Sequence, residues 1–200
     1  MQTNGVMGDT SRPQINVHNN PPPPDLPLPD LIGSTDILTD ERRKKLCRHL
    51  PARAEGYSWT LIYSSAKHGF SLKTLYREMN KFESPVLMII EDTYGSIFGA
   101  LISCSLRVSD HFYGTGETFL FTFGTDSSQL LVYPWTGENL FFVKGDQNSL
   151  SLGAGDGNFG LWLDGDLFHG RSHPCKTFGN SMLSLEEDFV VKALECWAFV

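Results

Sequence analysis

The residues with the greatest chemical potential fall in one short run: Asp164, Asp166, His169, Arg171, His173 and Cys175. Carboxylates, imidazoles, a guanidinium and a thiol at this spacing could hold a metal, move a proton or tune a nucleophile. Each use makes a different demand. A closed zinc site needs four ligands. His169, His173 and Cys175 supply three, Pro174 constrains them, and no second cysteine lies nearby. A calcium loop needs alternating oxygen ligands, a central glycine and a closing glutamate. Asp156, Asn158, Asp164 and Asp166 do not follow that order. Neither a metal nor a cofactor is expected.

The thiol is the sharper candidate. Arg171, His173 and Lys176 surround Cys175 in sequence and would favour its thiolate. A thiolate reacts with peroxide to a sulfenic acid that a second thiol can reduce. The alternative is a small buried hydrophobe. The four cysteines, at 47, 104, 175 and 196, form no CxxC pair, and reduced thiols are expected. Cys104 and Cys196 fall in apolar runs and read as inert core. His68, His111, His169 and Glu117 could exchange protons, yet nothing in their spacing selects a set. No nucleophile elbow of the Gly-x-Ser-x-Gly type occurs. A catalytic role is not the favoured reading.

Upstream of this run lies Gly153-Ala154-Gly155-Asp156-Gly157. A dinucleotide loop would need a strand before it and a helix after it. Here Phe159, Leu161 and Leu163 alternate as a strand does, so a bulged or tightly turned β-connection is expected. Glycine lets a backbone approach a neighbour closely. Gly153, Gly155 and Gly157, with Asp164 and Asp166, are therefore candidates for a docking face. Gly114, Gly116 and Glu117 join them from Tyr113-Gly114-Thr115-Gly116-Glu117, a tight turn into a strand. Glu117 reads as either a buried acid or a strand-end charge.

The elements that must position these residues are mostly strands. Thr39, Asp40 and Glu41, followed by Arg42, Arg43, Lys44 and Lys45, suit a capped helix aligned with its dipole. Its basic cluster reads as a solvated face, with Leu46 and Leu50 on the other side. Tyr57 to Tyr63 reads as a strand with Tyr57, Trp59, Leu61 and Tyr63 on one face. His68-Gly69 marks a turn. Ser71 caps a second helix that buries Leu72, Leu75, Tyr76 and Met79. Val86–Ile90 is a buried strand, Asp92–Gly95 a hairpin turn, and Ile97–Leu106 the return strand, with Gly99 marking close packing or a bulge. Further strands are expected at 117–123, 130–133, 140–143, 149–152 and 159–163. Residues 189–199 fit both periodicities, and their β-branched and aromatic content favours a strand. The fold class is α+β, mostly β: a two-sheet antiparallel β-sandwich with a few short flanking helices.

Two hundred residues suffice for one domain and a tail. Residues 1–30 read as a disordered, proline-rich tail, and 31–200 as the domain. Pro21-Pro22-Pro23-Pro24 should be polyproline II, either a stiff linker or a ligand for an SH3-type or WW-type module. A net charge of −7 argues against nucleic acid. No apolar run is long enough to insert in a membrane, and neither a secretory leader nor a lipid anchor is expected.

Several motifs together resemble the TLDc domain family. They are Leu50-Pro51-Ala52-Arg53 with Gly56-Tyr57-Ser58-Trp59, His68 to Arg77, Ile97-Phe98-Gly99-Ala100 and Tyr113 to Leu120. Trp135-Thr136-Gly137-Glu138-Asn139, Gly160 to Leu167, Cys175-Lys176-Thr177-Phe178 and Leu194 to Phe199 continue the likeness to the end of the chain. Within the family the chain is most similar to the short oxidation-resistance type, a TLDc domain with little else. The resemblance implies a two-sheet sandwich, protection against oxidative stress, and binding to the soluble sector of the vacuolar proton-pumping ATPase, whose assembly or activity it regulates. It implies no established reaction. On this reading the protein is a monomer in the cytoplasm, recruited to lysosomal or vacuolar membranes through the pump, or also nuclear.

Overall fold

The computed structural model describes residues 27–126 and 128–200. The Pro21–Pro24 stretch and most of the expected tail lie outside them. In chain order the elements are β1 (Leu31–Ile32), α1 (Asp40–Cys47), β2 (Trp59–Ser64), α2 (Ser65–His68), α3 (Leu72–Met79), β3 (Val86–Asp92) and β4 (Ile97–Ile102). There follow β5 (Phe119–Gly124), β6 (Leu131–Tyr133), β7 (Val143–Gly145), β8 (Ser149–Gly155), β9 (Asn158–Asp164), β10 (His169–Arg171) and β11 (Asp188–Phe199). The fold is the expected β-rich α+β class.

All these strands belong to one hydrogen-bonded network, ordered β6-β5-β4-β3-β11-β10-β9-β8-β7, with β2 branching off β11 and carrying β1. The early residues of β11 pair with β10. Its later residues pair with β3 on one side and β2 on the other. The strand therefore passes from one layer into the other. Between the layers, Val86, Met88 and Ile90 of β3 and Phe98, Ala100 and Ile102 of β4 meet Leu150 and Leu152 of β8 and Leu161 and Leu163 of β9. Helix α3 adds Leu72, Leu75, Tyr76 and Met79 to the same core, and Ser71 caps it as expected. Gly99 of β4 is a close-packing glycine, since a Cβ there would sit 1.9 Å from the Met88 carbonyl oxygen.

A second core covers the far face of the first layer. Ile37, Leu38, Leu46, Leu50 and Ala54 lie there against Trp59, Leu87, Ile89, Phe121 and Trp197. What fastens this cover is Glu195, a buried acid in β11. Its Oε2 accepts from the Thr35 hydroxyl at 2.7 Å and from Trp197 Nε1 at 3.1 Å, while Oε1 accepts from the Asp36 N–H at 2.7 Å and the Ile37 N–H at 3.3 Å. Buried carboxylates persist only when several donors satisfy them in this way.

Several local expectations differ from the structure. In β2, Tyr63 opposes Cys196 while Leu61 opposes Trp197, so Ile62 is an extra residue and forms a bulge. The bulge turns Tyr63 into the inter-layer core while Trp59 stays in the outer one. Tyr57 precedes the strand and is exposed. Arg43, expected on a solvated face, is buried, its guanidinium 5.5 Å from the Trp59 ring centroid and 3.0 Å from Asp40. Strand β4 ends at Ile102, so Cys104 is half-buried beyond it rather than in a strand. The 140–143 strand is displaced to β7. Strands β1 and β10 and helix α2 are additions, each too short to leave a periodic signal.

Replacing Glu195 by alanine should strip these donors of their acceptor and destabilise the domain by about 3–5 kcal/mol. Urea unfolding of the variant beside the parent measures this.

Candidate functional site

The glycine stretch is a β-hairpin. Strands β8 and β9 are joined through Asp156 and Gly157, with φ of 54° and 79°. Two successive positive φ values define the type I′ turn that Asp-Gly favours. The segment from His173 to Gly179 folds back over this hairpin. Thr177 is central to the lock. Its hydroxyl accepts from the Ala154 N–H at 2.9 Å and donates to Asn139 Oδ1 at 2.7 Å. Asn139 Nδ2 donates in turn to the Ala154 carbonyl at 3.1 Å. The Thr136 hydroxyl donates to the Lys176 carbonyl at 2.7 Å. The Trp135–Asn139 and Cys175–Phe178 motifs thus bind each other through the hairpin.

The glycines make this fit possible. A Cβ on Gly153 would lie 2.6 Å from Phe178 and 2.8 Å from Cys175 Sγ, and one on Gly160 would lie 3.0 Å from the same sulfur. A Cβ on Gly155 would meet Lys176 Cβ at 2.9 Å. Gly116 lies under the Trp135 ring, and Gly114 against Ser103, Phe142 and Val143. These glycines serve close approach within the chain. Of the glycines singled out, Gly157 alone has open space around it.

Cys175 sits in that cradle, buried, with Sγ 3.2 Å from Asn180 Oδ1. Burial pushes its thiol up, away from the thiolate. The neighbouring bases are engaged elsewhere: Lys176 with Asp156 at 3.2 Å, Arg171 with Asp188 at 2.6 Å, and His173 with Glu187 at 2.8 Å. Burial likewise pushes the Cys196 thiol up.

Asp164 and Asp166 close the β9–β10 turn. Asp166 Oδ1 accepts from the N–H groups of Phe168 at 2.7 Å and His169 at 3.0 Å. Its Oδ2 lies 2.7 Å from His169 Nδ1. Between them Leu167 adopts φ 52° with its side chain buried. That left-handed backbone is costly for leucine and is held by the carboxylate. Burial pushes the Asp166 carboxyl up, but the His169 ring and the two N–H groups outweigh it and pull the carboxyl down to about 2. Asp164, Asp166 and His169 offer ligand atoms within 4.8 Å of one another. The zinc trio does not assemble, because Cys175 is buried and His173 pairs with Glu187. Asp156 sits in the β8–β9 turn and Asp164 at the far end of β9, whose length of ~20 Å separates the turn from it.

The remaining candidates are dispersed. Glu117 is half-buried just before β5 and pairs with Arg53 at 3.3 Å, a strand-end charge. His68 stacks on Tyr63, and its Nδ1 accepts from the Ser64 N–H at 3.0 Å. His111 is exposed in another loop. Sequence reasoning missed Glu195, Thr177 and Asn180, all of which lie inside or beside the quoted motifs.

Fold and site together define a β-sandwich domain whose two layers share one strand and whose glycine hairpin is locked by a returning loop. The chain belongs to the TLDc domain family, whose match covers residues 31–200. It is 54% identical over 189 residues to oxidation resistance protein 1 of Xenopus tropicalis, covering 94% of this chain and 21% of that protein. Human oxidation resistance protein 1 is 56% identical over 171 residues, 86% of this chain and 19% of that protein. Human nuclear receptor coactivator 7 is 52% identical over 172 residues, 86% and 18% respectively. The chain spans about a fifth of the length of these curated relatives.

Two predictions separate packing from exposure. Gly153→Ala should cost about 2–5 kcal/mol, combining backbone strain with overpacking, whereas Gly157→Ala should cost about 1–2 kcal/mol from strain alone; thermal unfolding of both variants checks this. The Asp166 carboxyl should stay ionised until about pH 2. A lowered pKa favours the folded state above the unfolded value and loses that contribution as pH falls through the folded one. Carboxyl-carbon NMR across an acid titration reads the midpoint directly.

Proposed function

We propose that this chain is a non-enzymatic docking module that protects against oxidative stress by binding the soluble sector of the vacuolar proton-pumping ATPase and regulating its assembly or activity. Family membership and the names of the oxidation resistance relatives support the stress role. The pump as partner follows from the family resemblance. On this reading the chain works in the cytoplasm and reaches lysosomal or vacuolar membranes through the pump. Among the described residues, no helix is long and apolar enough to cross a membrane.

One observation carries the docking reading over a chemical one. His169, Arg171 and His173 are each engaged by a carboxylate, Asp166, Asp188 and Glu187 respectively, and the thiol among the groups from 164 to 175 is buried and pushed up, away from those bases. Gly157, Asp164 and Asp166 stay accessible to a partner, and Glu117 stays half-exposed. Carboxylates at a rim steer and orient a charged partner. Gly153, Gly155, Gly114 and Gly116 contribute by setting the shape of that surface.

Purified protein should co-sediment with the isolated soluble sector and change its ATP hydrolysis or reassembly; no effect on either would sink the proposal. The Cys175→Ser variant should protect cells from peroxide as well as the parent does. Loss of protection in that variant, with its fold intact, would favour a peroxide-reactive thiol at Cys175 instead.

A further inference from the structure

Strands β1, β2, β11, β3, β4 and β5 share one end of the first layer. The pairings that mark it are Leu31 with Trp59, Trp59 with Phe199, Ala198 with Val86, Val86 with Ile102 and Leu101 with Phe119. The N-terminal segment is fixed at the β1 corner of this end. The Asp30 carbonyl accepts from the Trp59 N–H at 2.8 Å, and the Pro29 carbonyl accepts from Arg43 Nη2. Pro21–Pro24 comes just before that corner in the chain and lies outside the described residues.

At the opposite corner the chain leaves β6, where Tyr133 pairs with Leu120, and Phe112, Trp135, Leu140 and Phe141 gather beyond it. The Phe112 and Phe141 rings are 5.0 Å apart, and Trp135 meets the buried Phe142 edge-on at 5.4 Å. The Trp135 indole is held against Gly116, and its Nε1 donates to the Asn139 carbonyl at 2.7 Å. Even so, Trp135, Leu140 and Phe141 are exposed, Leu140 by 67%. A cluster of large exposed apolar side chains marks a surface that something covers.

Two lengths say which segment can cover it. Neighbouring strands lie ~4.8 Å apart, so the five steps from β1 to β5 span about 24 Å, and the sixth, to β6, brings the span to about 29 Å. A polyproline II helix rises ~3.1 Å per residue. Pro24 is seven residues before Leu31 and Pro21 is ten, so the run lies about 22 to 31 Å along the chain from the β1 corner. The proline run and the aromatic patch are therefore matched in reach. Tyr57, exposed just before β2, lies on the way. The chemistry agrees, because aromatic surfaces receive polyproline helices, whose stiffness leaves little entropy to lose. Pro21 and Pro24 are one turn apart and present the same edge. A short tether gives such a segment an effective concentration on the order of millimolar, so a weak contact suffices.

From this geometry we infer that Pro21–Pro24 docks in cis on the patch formed by Trp135, Leu140 and Phe141, crossing the end of the layer past Tyr57. A partner that reads either the proline run or the aromatic patch must then displace the other. This contact does not depend on the pump.

The test uses the whole chain with 5-fluorotryptophan at its four tryptophans, read by fluorine NMR. Trp135→Phe assigns the Trp135 resonance. The combined variant Pro21→Ser, Pro22→Ser, Pro23→Ser and Pro24→Ser should shift that resonance at any protein concentration. It should leave in place those of the buried Trp59 and Trp197 and of Trp162 on the second layer. Leu140→Ser, a change at an exposed side chain, should lower the heteronuclear NOE of the Asn20 and Asp25 amides, and it keeps the test valid if Trp135→Phe does not fold. A Trp135 resonance identical with and without the prolines, or an NOE indifferent to Leu140→Ser, overturns the inference and leaves the patch to a partner. A shift at Trp162 in place of Trp135 overturns it by sending the tail elsewhere. So does a shift that appears only as protein concentration rises, which would assign the contact to the tail of a second copy.

Discussion

Strand β11 is the constraint on which the structure depends. It pairs with β10 through its first residues and with β3 and β2 through the rest, so the two layers are joined through it. Its residues feed both cores: Leu194, Cys196 and Ala198 on one side, Trp197 and Phe199 on the other. One polar side chain interrupts this apolar stretch. Glu195 is tolerated there because, besides Trp197 Nε1, its donors come from a segment some 160 residues earlier in the chain. The acid thereby converts a hydrophobic strand into an anchor for the N-terminal cover. Pairings of such wide separation are slow to form and costly in loop entropy, and they reward the chain only once most of the sandwich is assembled.

The hairpin and its returning loop follow a related logic on the other layer. Bringing Cys175 and Phe178 against β8 leaves no room for side chains at Gly153 and Gly160. Close approach buries the sulfur, and buried sulfur is poor thiolate. The same packing that makes the motif distinctive therefore disfavours the thiolate. Asn180 completes the closure. Its amide donates to the His173 carbonyl at 2.8 Å and to the Ser181 carbonyl at 2.9 Å, while its oxygen accepts from Cys175. These bonds close the loop on itself.

Polar chemistry is consequently displaced to the rim and outer face of the second layer. There carboxylates hold turns and pair with histidines. Exposed charge pairs of this kind are weakened by solvent and salt. The uncovered face and the covered one differ in a simple way: the N-terminal segment has the buried Glu195 to tie it down, and the second layer has no equivalent acid among its described residues.

Much of this was legible from residue order alone. Residue pattern located most of the strands, capping residues marked α1 and α3, and glycines ahead of an alternating strand pointed to a tight β-connection, because each is a local property of a few neighbouring residues. The strand at the end of the chain was correctly favoured over a helix by its β-branched and aromatic content. What tertiary structure alone decided is where those faces point and what they touch. A one-residue bulge at Ile62 sent Tyr63 to the opposite core from Trp59. Arg43 left its basic cluster for the Trp59 ring. The bases beside Cys175 in sequence turned to carboxylates instead of the sulfur. Each outcome depends on a partner far along the chain, and neither spacing nor periodicity carries information about a partner's position until the layers close.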